Sequence, residues 1–196
     1  ACLVGSEMCI RDRYRHVMDI VTCLFFYKED AMQHVQTRST TSALVLTAVL
    51  IALATLFTMY TKIPVPGIRG YFNVGDVVIM TSALLLGRKY GAYIGAIGPA
   101  LADLFLGYVV FVPITFVVKG LEGYLVGTVY KNKTTTSALV ATIVGGIVIV
   151  AGYFIAEYFV FDPGVAIASI LTNAIQAVMS VIISMILYAI LRKRLG

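Results

Sequence analysis

After residue 40 the chain alternates between long apolar runs and short polar punctuation. The runs cover Thr41 to Tyr60, Val74 to Leu86, about Ala92 to Tyr108, Pro113 to about Tyr130, about Ser137 to Phe159 and about Val165 to Leu191. Between them lie "TKIPVPGIRGYFN", "GRKYG", "KNKTTT" and "FDPG", and "RKR" follows the last run. Proline and glycine in these connectors break helices, while Pro113 suits a first helical turn. Runs near 20 residues are the length that crosses a bilayer. The pattern predicts an all-α fold: an integral membrane bundle of six helices, with a short second helix and with "GRKYG" as a turn.

Composition agrees. Hydrophobic residues are 60% of the 196 and charged residues 13%, with a mean hydropathy of +0.93; soluble domains lie nearer 45–50% and about 25%. The 17 glycines suit close helix packing in lipid. The net charge of +5 does not indicate a nucleic-acid partner, because the basic residues sit between apolar runs.

Residues 1–31 stand apart. "CLVGSEMCIRDR" resembles a translated sequencing-library adapter, and "YKEDAM" can be encoded by a ribosome-binding site spaced before Met32. The expectation is that 1–31 is adapter and untranslated leader and that 32–196 is one six-helix membrane domain. All three cysteines (Cys2, Cys9, Cys23) fall in the first segment, so thiol, disulfide and thiolate-metal chemistry drop out of the second.

Basic residues set the expected orientation. Arg38, Arg88, Lys89, Lys131, Lys133 and Arg192 to Arg194 occupy alternate connections and the C-terminus. The positive-inside rule puts these, with both termini, on the cytoplasmic side of a bacterial cell membrane. Lys62 and Arg69, in the first outward connection, break the bias.

On this topology the embedded polar groups gather toward the outer end. Asp76 begins helix 2, Asp103 lies late in helix 3, Lys119 and Glu122 lie early in helix 4, and Tyr153 and Glu157 lie late in helix 5. Lys119 and Glu122 share a face at i,i+3, as do Tyr153 and Glu157 at i,i+4. In helix 6, Ser169, Asn173, Gln176, Ser180 and Ser184 form one stripe. Ionisable groups at membrane depth are costly and usually mark a site or pathway. Asn173 and Gln176 offer both donors and acceptors to a heteroaromatic edge. Small polar residues also glue helices, the reading given to Ser180 and Ser184. Asp103 and Lys119 can neutralise each other, which makes Asp103, like Asp76, a structural charge. Ring stacking would rest on Tyr71, Phe72, Tyr108, Tyr124 or Tyr153, since Trp is absent. Tyr71, Asn73, Lys119, Glu122, Tyr153, Glu157, Asn173 and Gln176 form the candidate substrate-binding set. On helix 1, Ala48, Ala52 and Thr55, with Val45 above, form a small-residue face for another helix, inside the bundle or outside it.

"IPVPGIRGYFNVGDVVIMTSALLLGRKYGAYIGAIGPALADLFLGY" and "TFVVKGLEGYLVG" resemble the substrate-binding S components of energy-coupling factor (ECF) transporters, in the riboflavin-type group, and the likeness covers Thr41 to Leu195. The resemblance implies a six-helix bundle that captures a vitamin or precursor near its outer face. It also implies a membrane coupling subunit and two ATPases as partners. It gives Ala48 and Ala52 to the coupling-subunit contact and makes Thr61 to Phe72 a lid. The chain carries no Walker A motif, so energy would come from a partner. The alternatives are a self-sufficient proton-coupled transporter, whose inverted repeat is not evident, and an intramembrane enzyme. For the latter no nucleophile elbow, zinc motif or paired aspartate motif is present, and His16 and His34 precede helix 1. No cofactor or metal is expected, and no enzyme activity.

Overall fold

In a computed structural model of the chain, the described residues are 40–61, 63–64, 71–131 and 134–195. The expectations for residues 1–31, for Arg38 and Lys133, and for most of the Thr61 to Phe72 connection lie outside them. Residues 45–196 form one compact unit; the described part of Ala1–Leu44 is the start of the first helix.

Six helices make up the described fold: α1 (Thr40–Tyr60), α2 (Gly75–Leu86), α3 (Arg88–Phe105), α4 (Phe111–Val129), α5 (Thr135–Val160) and α6 (Pro163–Leu195). Two-residue strands, β1 (Ile63–Pro64) and β2 (Tyr71–Phe72), pair antiparallel in the α1–α2 connection. Helices α1, α4, α5 and α6 are each long and apolar enough to cross a membrane. At 1.5 Å per residue, α2 is only about 18 Å long. The protein is a multi-pass membrane protein, and its outer surface carries apolar side chains such as Ile147, Leu171 and Val178.

Local chemistry sets the helix ends. The Thr134 hydroxyl accepts from the Ser137 N–H and starts α5, and the Asp162 carboxylate accepts from the Gly164 N–H at the head of α6. Such side chains satisfy donors that a helix start leaves open. "GRKYG" is not a turn as a whole: α3 begins at Arg88, and Gly87 alone, at φ +87°, makes the junction with α2. A left-handed backbone angle is one that glycine adopts without strain. The last helix likewise continues through "RKR".

Helix α3 packs on α4 and α5 on α6, with α2 between them. Met80, Leu84, Val126, Ile149 and Tyr188 centre the main core. Helix α1 is held to α3 by Leu50 and Ala54 against Ile94, and by the Thr55 hydroxyl, which donates to the Gly98 carbonyl at 3.0 Å.

The α3–α4 seam is backbone on backbone. A Cβ on Gly123 would strike the Gly91 carbonyl, and one on Gly95 would strike the Lys119 carbonyl. Gly120 is looser, because its nearest neighbour is the Ala96 methyl. Overpacking a tight contact costs about 1–3 kcal/mol. Gly123→Ala should therefore lower the melting temperature in detergent clearly more than Gly120→Ala, as read by size exclusion after heating. Equal losses would mean that the seam is not the tight contact.

Candidate functional site

Each of the six helices, or the connection beside it, contributes to one cavity at a single end of the bundle. Thr58 comes from α1, Asn73 precedes α2, and Asp103 lies on α3. Lys119 lies on α4, Tyr153 and Glu157 on α5, and Asn173 and Gln176 on α6. This is the end that holds the α1–α2, α3–α4 and α5–α6 connections. Arg88, Lys89, Lys131 and Arg192 lie at the opposite end. The cavity offers about 50 Å³, room for a few waters.

At the cavity floor lies a charge network. The Lys119 ammonium donates to Asp76 Oδ1 at 2.5 Å, and Glu122 stands 3.4 Å away. Lys119 is 1% exposed, and Asp76 and Glu122 are 0% exposed. Asp76 Oδ2 accepts from Gln176 Nε2 at 2.7 Å, and Gln176 Oε1 accepts from the Asn73 backbone N–H at 3.2 Å. The Asn73 side chain accepts from the Gly75 N–H at 2.9 Å, just before α2. Asp76 thus sits in the first turn of α2, where the helix dipole favours a carboxylate, and it links α2 to α4 and α6. The Lys119 ammonium also stands 5.5 Å from the centre of the Tyr153 ring. The Tyr153 hydroxyl pairs with that of Thr115 at 3.1 Å.

These contacts correct one expectation and refine others. Asp76, not Asp103, holds Lys119, because helix rotation turns Asp103 to the cavity wall. Glu122 lies below the cavity rather than on its lining. Gln176 reaches the cavity, but both ends of its amide are already engaged. Asn73, Tyr153, Glu157 and Asn173 line the cavity, and Ser169 donates to Glu157. Ser184 donates to the Val77 carbonyl at 3.5 Å, in keeping with a packing role. Tyr124 faces outward at 40% exposure. The Tyr71 and Phe72 side chains lie outside the described part of the structure. Ala48 and Ala52 are exposed on α1, whereas Thr55 turns inward to α3 and leaves their face.

The sequence pattern did not single out Thr58, Phe111, Thr115 or Thr172, which also line the cavity. Thr115 was reachable, being one turn before Lys119 on the same face. Phe111 packs on Phe161 at 5.2 Å and edge-on to Tyr108 at 6.4 Å, forming an aromatic margin.

Residues 38–193 match the family described as ECF-type riboflavin transporter, S component. The chain belongs to that family. S components are transport proteins, not enzymes, that work with a membrane coupling subunit and ATPases. A protein of Pyrococcus woesei, described as "Uncharacterized protein in gap 3'region", is 42% identical over 143 residues, 72% of this chain and 96% of its own. The thiamine precursor transporter HmpT of Lactococcus lactis subsp. cremoris (strain MG1363) is 30% identical over 149 residues, 75% of this chain and 83% of its own. The 2.1 Å crystal structure of the S component for biotin from an ECF-type ABC transporter superposes with a TM-score of 0.58. That likeness covers 80% of this chain and 94% of the other at 17% identity, and it speaks for the fold alone.

Within this S component, removing one partner of a buried ion pair costs about 3–5 kcal/mol. Asp76→Asn should therefore cut the yield of folded protein more sharply than Asp103→Asn, because Asp76 is the carboxylate that holds the Lys119 ammonium. Adding Lys119→Met to Asp76→Asn should restore yield. Fluorescence-detected size exclusion of tagged variants reads all three; a larger loss for Asp103→Asn would reverse the assignment of the counter-ion.

Proposed function

We propose that this S component captures a heteroaromatic vitamin or vitamin precursor at the outer face of the cell membrane and passes it to an ECF coupling subunit driven by two ATPases. The observation that carries the reading is the convergence of buried polar side chains from all parts of the bundle on one cavity in an otherwise apolar protein. Polar groups at this depth are retained where they meet a ligand or water rather than lipid. Orientation follows from Arg88, Lys89, Lys131 and Arg192 at the opposite end, which the positive-inside rule assigns to the cytoplasm together with both termini. Riboflavin, which the family description names, and a thiamine precursor, which the HmpT name suggests, are the first ligands to try.

Ala48 and Ala52, exposed among Val45, Val49 and Leu56, give the coupling subunit a face that another helix can approach closely. Asn173, Glu157 and Asp103 meet the ligand from the cavity walls, with Tyr71 and Asn73 on the α1–α2 side and Tyr153 beside Lys119. Lys119, Glu122, Gln176 and Asp76 set the floor on which it rests.

Mass spectrometry of the small molecule that co-purifies under non-denaturing conditions tests the reading. A vitamin or precursor is expected, and yellow colour with flavin fluorescence would identify riboflavin. Uptake in proteoliposomes driven by a proton gradient, with no coupling subunit present, would instead favour a self-sufficient transporter.

Ala48→Trp with Ala52→Trp should abolish assembly and uptake while ligand binding by the isolated subunit stays within about twofold of wild type, as expected for a site away from the cavity. Pull-down by the coupling subunit and calorimetry read the two effects. Intact assembly in the double variant would remove these alanines from the interface.

A further inference from the structure

Helix α4 presents one graded stripe to the cavity: Phe111 in its first turn, Thr115 one turn on and Lys119 a turn deeper. Residues four apart share a helix face, and each such step adds about 6 Å of depth. The stripe passes from an aromatic ring at the outer margin, through a hydroxyl, to the ammonium at the floor. Three aromatic residues stand among the described lining: Tyr108, Phe111 and Tyr153. Tyr153 already has the Lys119 ammonium 5.5 Å from its ring centre, and its hydroxyl pairs with that of Thr115. Phe111 is placed differently. Its ring packs on Phe161 with centroids 5.2 Å apart and planes tilted by 32°, and Phe161 is not among the described lining residues. Phe161 therefore backs the ring from the side away from the cavity. We propose that Phe111 is the ring-stacking residue of the site: a planar heteroaromatic ligand lies against it and extends the Phe111–Phe161 stack. This rests on the capture reading above and names the side chain that recognises the ring.

Two properties of the surroundings support this. The first is pre-organisation. Phe111 is held by rings from two separate connections, Phe161 between α5 and α6 and Tyr108 between α3 and α4, the latter at 6.4 Å and 78°. A side chain fixed before the ligand arrives has little freedom left to lose on binding. Offset and tilted ring pairs with centroids 4.5–7 Å apart are favourable beyond the area they bury. The second is the division of polarity. Phenylalanine has no hydrogen-bonding group, so it reads only the face of a ring. Thr115, Ser169, Thr172 and Asn173 also line the cavity, and their hydroxyl and amide groups can donate or accept. A flat ligand with its face on Phe111 and its heteroatom edge toward these groups uses both kinds of wall.

The chain contains no tryptophan, so Phe111→Trp places a sole indole reporter at the stack. The purified full chain in detergent is titrated with riboflavin and with an aminopyrimidine, by calorimetry for affinity and by emission for contact. For whichever probe binds the wild type, Phe111→Leu should weaken binding roughly threefold to tenfold, the scale of one lost ring–ring contact. Phe161→Leu should weaken it less. Phe111→Trp should keep the affinity within about threefold, and binding should quench emission: that of the indole with the aminopyrimidine, and that of the flavin with riboflavin beyond the quenching in wild type. Phe161→Trp, one ring further back, should respond less. Unchanged affinity in Phe111→Leu, or an equal or larger loss in Phe161→Leu, would overturn the stacking assignment and leave vitamin capture standing. If Phe111→Leu does not fold, the emission of Phe111→Trp decides, and a signal indifferent to the bound probe overturns the proposal. A co-purified molecule without an aromatic ring would overturn it as well. Failure of both probes to bind the wild type, with no small molecule co-purifying, would overturn the capture reading and this inference with it.

Discussion

A single ammonium inside an apolar bundle organises the rest of this protein. Lys119 cannot sit 1% exposed in a membrane helix without a counter-charge. Asp76 supplies it from the head of α2, and Gln176 from α6 donates to the carboxylate's other oxygen. The chain of contacts ends on the Asn73 N–H, just before α2. One carboxylate thereby fixes the mutual position of α2, α4 and α6. It does so immediately below the space where a ligand would rest, so scaffold and site share the same atoms.

The helices were legible in the sequence because apolar length and Pro/Gly punctuation are local properties. So was the convergence of polar residues at one end, since alternate connections must lie on the same side. Pairing was not legible. Spacing says that Lys119 and Glu122 share a helix face, but it does not say which neighbouring helix that face meets. Asp103 and Asp76 were equally available by depth, and only the rotation of α3 and α2 about their axes separates them. The α3 start was missed for a related reason: Arg88 and Lys89 read as a polar turn, yet a helix end at the interface accommodates charge, and one left-handed glycine makes the bend.

Helix α1 shows how one span can serve two surroundings. Leu50, Ala54 and Thr55 meet α3, while Ala48 and Ala52 remain on the exposed side. Thr55 belonged by spacing to the alanine face, but its hydroxyl found an acceptor in the Gly98 carbonyl. A polar group in lipid takes such a partner when one is near, and this narrows the outward small-residue patch to the two alanines with Val45 above them.

The glycine seam between α3 and α4 has a mechanical consequence. Sliding between helices normally proceeds by exchanging side-chain rotamers, and a contact of carbonyl against glycine has none to exchange. These two helices behave as a single stiff plate, so Asp103 and Lys119 keep their spacing whatever fills the cavity. Any adjustment of the cavity would then fall to its other walls, among them α1, which meets α3 through Leu50, Ala54 and Thr55.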